Sequence, residues 1–282
     1  MNNANKELMS SINDKSKLLL KHVELIKKSS LHWEIIFNRT DKYNAITNEM
    51  YERITEIFDE AAKDKELILL SITGKGKFYS AGTDLTNSAE SFTSSTTDIE
   101  TIIKQGKDRL QKFIDSIINF PKILIAFVNG PAIGISVSTL GLFDGVYASS
   151  CATFSLPFTR TAQSAEGCSS FVFPNLMGSI HAKEILLFDR QLTAEEAQQR
   201  GLVTRVINDN LFENEKENIC KHILSLPKGS LLASKALMQR WNIDTLKIVS
   251  KKEIDTLEQR WLTEEFAEAI FTFINRRKKS NL

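Results

Sequence analysis

Asn129-Gly130-Pro131-Ala132-Ile133-Gly134-Ile135-Ser136 follows an apolar run at 123–129 and leads into a second uncharged stretch at 134–142. The run is short enough for a buried strand, and the stretch after Gly134 reads as a buried helix. The same grammar occurs upstream, where Phe78-Tyr79-Ser80-Ala81-Gly82-Thr83-Asp84-Leu85 follows an apolar strand expected over 67–73. Each segment sets a glycine, Gly82 or Gly134, immediately before the residue whose N–H would open the next helix. A helix N-terminus exposes unpaired N–H groups with partial positive charge, and two of them converging on one point form an oxyanion hole. Taken alone, either segment also reads as nothing more than a tight strand-to-helix turn.

Working outward, 32–38 alternates as a strand and 40–44 is a turn. Residues 47–63 carry Met50, Ile54, Ile57, Phe58 and Ala61 at helical spacing. A helix is expected over 99–120, ended by Pro121, and short strands over 145–148 and 203–207. Thr193-Ala194-Glu195-Glu196 is a capping box, with Gly201 stopping its helix. From Leu211 onward the chain reads as helical. Strands alternating with helices up to about residue 207 predict an α/β class with a helical C-terminal portion. Residues 1–29 read as a polar N-terminal extension, loosely packed, with a short helical patch at 18–26. The Ser/Thr-rich stretch 86–98 reads as a loop.

Composition narrows the function. The chain has 282 residues, with 36 Lys+Arg against 35 Asp+Glu, so bulk charge makes no case for nucleic acid. Cys151, Cys168 and Cys220 form an odd set without CxxC spacing, and His22, His32, His181 and His222 are scattered, so neither a disulfide framework nor a metal centre is expected. Residues 123–143 contain no charge and are long enough to cross a bilayer. The Asn-Gly-Pro in their middle reads instead as a turn between a buried strand and a buried helix, and no membrane span is expected. With no apolar core near the start and Arg39 as the first arginine, no secretory leader or transit peptide is expected.

The segments 78–85, 129–134, 144–148 and 153–157, with the Leu-Thr-Ala-Glu-Glu-Ala run that leads to Gly201-Leu202-Val203, occur in an order that resembles the crotonase family, also called enoyl-CoA hydratase/isomerases. The resemblance covers about residues 30–275. It implies a crotonase (ClpP/crotonase-like) spiral of ββα units over 30–207 and a helical region over 208–279. It also implies acyl-CoA thioester substrates, no metal or redox cofactor beyond the CoA of the substrate, and a homotrimer or hexamer. By position in the motifs, the N–H groups of Thr83 and Ile135 would hold the thioester oxygen. Ala81, Gly82, Thr83, Asp84 and Leu85 would meet the substrate or its CoA, with Asp84 orienting the loop rather than moving protons.

Where the hydratases of that family carry two glutamates, this chain has Ser138 and Phe158. Ser164-Ala165-Glu166-Gly167-Cys168-Ser169-Ser170 instead supplies one acid, and with Gln259-Arg260-Trp261-Leu262 it resembles the Δ3,Δ2-enoyl-CoA isomerase branch in its peroxisomal form. One carboxylate suffices for that chemistry, because it takes a proton from C2 and returns it at C4. Apolar neighbours such as Phe171 and Phe173 would raise its pKa. Hydration, thioester hydrolysis and non-catalytic acyl-CoA binding are the competing functions. Cys168 lacks a histidine nearby in sequence and is not expected to act as a nucleophile. Arg276-Arg277-Lys278-Lys279 reads as a solvated helix end or as a partner for the CoA phosphates. Ser280-Asn281-Leu282 resembles a peroxisomal targeting tripeptide, for which an import receptor would be the partner. Peroxisome is the expected location, with mitochondrion or cytosol as alternatives.

Overall fold

A strand buried on both faces needs apolar residues at every position, and Ile123–Val128 has them. In the computed structural model, which describes residues 22–85 and 98–280 (side chains of 274–280 excepted), this strand is one of the two central strands of a six-stranded sheet. The strands are β1 (Val23–Lys27), β2 (His32–Phe37), β3 (Leu69–Gly74), β4 (Ile123–Val128), β5 (Ala132–Ile133), β6 (Gly145–Ser149), β7 (Thr153–Ser155), β8 (Leu192–Thr193) and β9 (Arg205–Ile207). The large sheet runs β1-β2-β3-β4-β6-β9, and a small second sheet runs β5-β7-β8. Only β1 and β2 are antiparallel in the large sheet; β2, β3, β4, β6 and β9 are parallel, with His32 level with Leu69, Leu69 with Ile123, and Ile125 with Gly145. Successive turns of the chain thus lay one strand after another along the large sheet, and from β5 onward also feed the small one. This is the α/β spiral with a helical C-terminal portion expected from the sequence.

The helices follow their apolar stripes. Asn48–Lys63 is capped by Thr47, whose side chain accepts from the Met50 N–H, and buries Met50, Tyr51, Ile54, Ile57, Phe58 and Ala61. Ile99–Ile118 packs beside it, and Phe120 meets Phe58 edge-on at 5.0 Å between ring centroids. The capping box forms as read: Glu196 N donates to Thr193 Oγ1 at 3.2 Å, and Thr193 N donates to Glu196 Oε2 at 3.0 Å. Among the four C-terminal helices, Phe212–Ser225, Lys228–Arg240, Ile243–Trp261 and Glu264–Ser280, the third lies against Ile99–Ile118 and sinks Ile254 and Leu257 into the core.

Three expectations are revised. The helical patch at 18–26 gives way, in its described part, to strand β1, and Val23 is almost fully buried. The loosely packed extension therefore does not reach residue 29: the sheet begins at Val23. The reason is the edge of β2, whose N–H and C=O groups need partners, and β1 supplies them from Val23 opposite Phe37 to Lys27 opposite Trp33. The helix expected over 134–142 is a single α-turn, Ile135–Ser138, continued by a 3₁₀ turn, Thr139–Leu142. The uncharged stretch 123–143 is β4, a turn, β5 and these two helical turns, and no helix among the described residues is long and apolar enough to cross a membrane. The loop expected over 86–98 falls outside the described residues except at Asp98. The side chains of 276–280 and residues 281–282 of the tripeptide also fall outside them.

Candidate active site

The two glycine segments are stitched to each other by backbone. Tyr79 N donates to Pro131 O at 3.1 Å, Ile133 N donates to Ser80 O at 3.0 Å, and Ser80 and Ala132 form a parallel bridge. Gly82 has φ +78°, and a Cβ there would stand 2.4 Å from Ile133 O, so only glycine permits the approach. The loop is clamped on both sides of Thr83, because Ile46 N donates to Gly82 O and Asp84 N donates to Ile46 O. In a parallel bridge the residue between two such bonds turns its own N–H the other way. Ile135 is the first residue of its helical turn, so its N–H has no intrahelical acceptor. Among the described residues, no acceptor within the chain takes the N–H of Thr83 or of Ile135.

Both residues line a cavity of about 170 Å³, and so does Glu166. The three residues singled out from the sequence therefore meet, although Ile135 and Glu166 lie on separate turns of the spiral. Of the five residues expected to contact substrate, Ala81, Gly82, Thr83 and Leu85 line the cavity. Asp84 is buried and holds Arg39 Nη1 at 2.6 Å, which ties the loop to the turn before the first helix.

Glu166 is 5% exposed. Ser138, at the first missing-acid position, donates its hydroxyl to Glu166 Oε1 at 2.7 Å, whereas Oε2 is buried with no partner among the described residues. Burial pushes this carboxyl up to about 8, the nearby Glu253 adds to the rise, and the Ser138 hydrogen bond opposes it. Phe158, at the second missing-acid position, is an apolar wall of the cavity. Cys168 is buried, its thiol pushed up chiefly by burial, and its Sγ is directed at Leu246 O. No ion-holding cluster of His, Cys, Asp and Glu occurs among the described residues.

Several functional neighbours escaped the sequence reading. Tyr51 reaches the cavity from the buried stripe of Asn48–Lys63, with its hydroxyl 2.7 Å from Thr83 Oγ1 and its ring edge-on to Phe113 at 5.0 Å. Its polar tip inside an apolar stripe was the available signal. Asn44 donates its side-chain amide to Lys75 O, Phe78 O and Tyr79 O, holding the loop from inside a turn that reads as ordinary punctuation. Trp261, within the quoted run 259–262, closes one wall and donates Nε1 to Gln163 Oε1 at 3.2 Å. A cavity walled by Ile103, Phe158, Leu257 and Trp261, with free N–H groups and one high-pKa carboxyl, suits an apolar chain attached to a polarisable carbonyl.

Comparison with known proteins identifies the family. A family model described as enoyl-CoA hydratase/isomerase matches residues 28–281. The chain is 46% identical over 246 residues to enoyl-CoA delta isomerase 2 of Rattus norvegicus, covering 87% of this chain and 62% of that protein. It is 38% identical over 249 residues to enoyl-CoA delta isomerase 3, peroxisomal, of Mus musculus, covering 88% and 77%. A solved enoyl-CoA hydratase/isomerase from Pseudoalteromonas atlantica superposes with TM-score 0.80 at 27% identity, covering 91% of this chain and 98% of the other. The chain thus spans a little over three fifths of the length of the rat relative.

Proposed function

The chain belongs to the enoyl-CoA hydratase/isomerase family, and from that premise we propose that it moves the double bond of a 3-enoyl-CoA, cis or trans, to give trans-2-enoyl-CoA. Ionised Glu166 takes a proton from C2 of the bound thioester. The C2–H electrons form the C2=C3 bond, the C3=C4 electrons move to C4, and Glu166 returns the proton there. In between, negative charge delocalises onto the thioester oxygen, where the N–H groups of Thr83 and Ile135 stabilise it more than they stabilise the neutral substrate. Nothing is added or lost, so the step needs no redox partner and no activated water.

The observation that carries this reading is the single buried carboxyl with one free oxygen in a cavity lined by two unpaired N–H groups, with Ser138 and Phe158 at the positions where the family's hydratases carry their two acids. The names of the rat and mouse relatives support it. A pKa near 8 suits a group that must give the proton back. The test is turnover of 3-hexenoyl-CoA against 2-hexenoyl-CoA in water. Isomerisation of the first with no hydration of the second is expected, and label placed at C2 should appear partly at C4. Hydration of 2-hexenoyl-CoA, release of free CoA, or binding without turnover would each replace the reading with one of its competitors. The same reading sets the protein in the oxidation of unsaturated fatty acids, without metal or redox cofactor. It further includes a homotrimer or hexamer, which the exposed Ile180, Phe188, Met238 and Trp241 support, and a peroxisomal location reached through an import receptor, which the name of the mouse relative supports.

A further inference from the structure

Glu166 is followed by two residues in the left-handed region, Gly167 at φ +68° and Cys168 at φ +63°. A residue with a side chain adopts that region sparingly, so Cys168 holds it only because surrounding structure imposes it. Position 167 is also crowded: a Cβ there would stand 2.7 Å from Ser138 Oγ, the hydroxyl that holds Glu166. The kink opens into the helix Ser169–Met177, whose first residue has no side-chain cap from Cys168.

The cap comes from another part of the molecule. Glu253, buried on the helix Ile243–Trp261, accepts from Cys168 N through Oε2 at 2.7 Å and from Ser170 N through Oε1 at 2.9 Å. Burial raises the pKa of Glu253, and the N–H groups and helix dipole at this helix start work against that rise by favouring its carboxylate form. Glu253 makes no ion pair among the described residues, so its partners are these N–H groups and Ser170. Cys168 feels the charges of Glu253, Glu166 and Asp115, and Tyr51 feels that of Glu166. Gln111 links Asp115 to Ser250, one turn before Glu253.

We propose that Glu253 is a positioning residue for Glu166: its carboxylate fixes the Gly167–Cys168 kink, and with it the orientation that gives Oε1 of Glu166 to Ser138 and leaves Oε2 for the substrate. The proposal rests on the reading of Glu166 as the base. Glu253 also acts on Glu166 through its charge, in the direction that favours the protonated acid.

The experiment measures kcat and KM on 3-hexenoyl-CoA for Glu253→Ala, Glu253→Gln, Glu166→Gln and the double variant Glu166→Gln/Glu253→Ala, with thermal unfolding as the control for folding. Misplacing a reacting group by about 1 Å costs on the order of 10²-fold, so Glu253→Ala should lose roughly 10- to 100-fold in kcat with KM changed less than about threefold. Glu253→Gln keeps one acceptor oxygen for two N–H groups and should fall between Glu253→Ala and wild type, at roughly a three- to tenfold loss. The double variant should be no slower than Glu166→Gln, since a residue that acts only through Glu166 has nothing left to position. A wild-type kcat in Glu253→Gln overturns the proposal, even if Glu253→Ala does not fold. So does a further loss in the double variant, relative to Glu166→Gln, as large as the loss that Glu253→Ala causes in the wild type. If Glu166→Gln keeps more than a tenth of the activity, the base assignment itself falls and takes this proposal with it, a result distinct from the other two.

Discussion

The two halves of the site are built from different materials. The N–H half, around Thr83 and Ile135, rests chiefly on backbone held by backbone: Tyr79 to Pro131, Ile133 to Ser80, and Ile46 bonded on either side of Thr83, with the Asn44 and Asp84 side chains bracing the loop. The acid half hangs on side chains. Glu166 is held by Ser138, and the kink after it is held by Glu253 from the C-terminal helices. A backbone half is insensitive to most side-chain changes and fails when a donor is removed or when Gly82 gains a side chain. A side-chain half is exposed to single substitutions at three places far apart in sequence. The comparison therefore predicts an uneven map of sensitivity across one small cavity.

The largest effect belongs to the acid. Glu166→Gln keeps the size and removes the base, and because one group serves both proton transfers the loss in kcat should reach the upper part of the roughly 10²- to 10⁴-fold range for general acid–base groups. Steady-state turnover checks this, and a variant retaining a tenth of wild-type activity would erase the acid half as defined here.

Removing a donor comes next. Ile135→Pro eliminates one N–H at a first helical position that tolerates proline, and kcat should fall on the order of 10²- to 10³-fold. Ile135→Val keeps the N–H and trims one methylene from a buried side chain. It should cost about 0.5–1.5 kcal/mol of stability and leave turnover nearly unchanged. Equal losses of turnover in the two folded variants would break the claim that backbone alone matters there.

Ser138→Ala sharpens the comparison through pH. In the wild type, the ionised base accumulates as pH rises through about 8, so kcat/KM should climb with pH below that value and level off above it. The Ser138 hydrogen bond favours the ionised form, so deleting it should move the limb to higher pH, by about one unit for a charged hydrogen bond of roughly 1.5 kcal/mol. Stability runs the opposite way. A carboxyl raised from 4.5 to about 8 contributes stability that is full below 4.5 and is lost as pH rises through about 8. Denaturation of wild type and Glu166→Gln at pH 5 and pH 9 should reveal that component, and a limb that moves down in Ser138→Ala would reverse the assigned role.

Tyr51→Phe should give the smallest change. It removes a hydroxyl whose partner is the side chain of Thr83, not its N–H, so kcat should drop by less than tenfold. A larger drop on the scale of a lost donor, about 10²-fold, would mean that the backbone half depends on a side chain after all.

The legible parts of this protein are those whose signal is local. Apolar runs at β3 and β4, the apolar stripe of Asn48–Lys63, and the capping box at Thr193 are set by interactions within a few residues, and each forms as read. Glycines before Thr83 and Ile135 announce the N–H half for the same reason, since positive φ and close approach are demands on the backbone at one position. The residues 18–26 misled because strand β1 forms to satisfy the edge of β2, a demand that lies outside the segment. Glu166 stood out by its neighbours, but its buried free oxygen, its clamp by Ser138 and the reach of Glu253 across the molecule did not. Sequence alone determined the α/β class with its helical C-terminal portion and the two glycine turns, and it pointed to Glu166 as the acid. Only the tertiary structure decided the acid's protonation and aim, because desolvation and side-chain hydrogen bonds depend on which distant residues share a volume of a few ångströms.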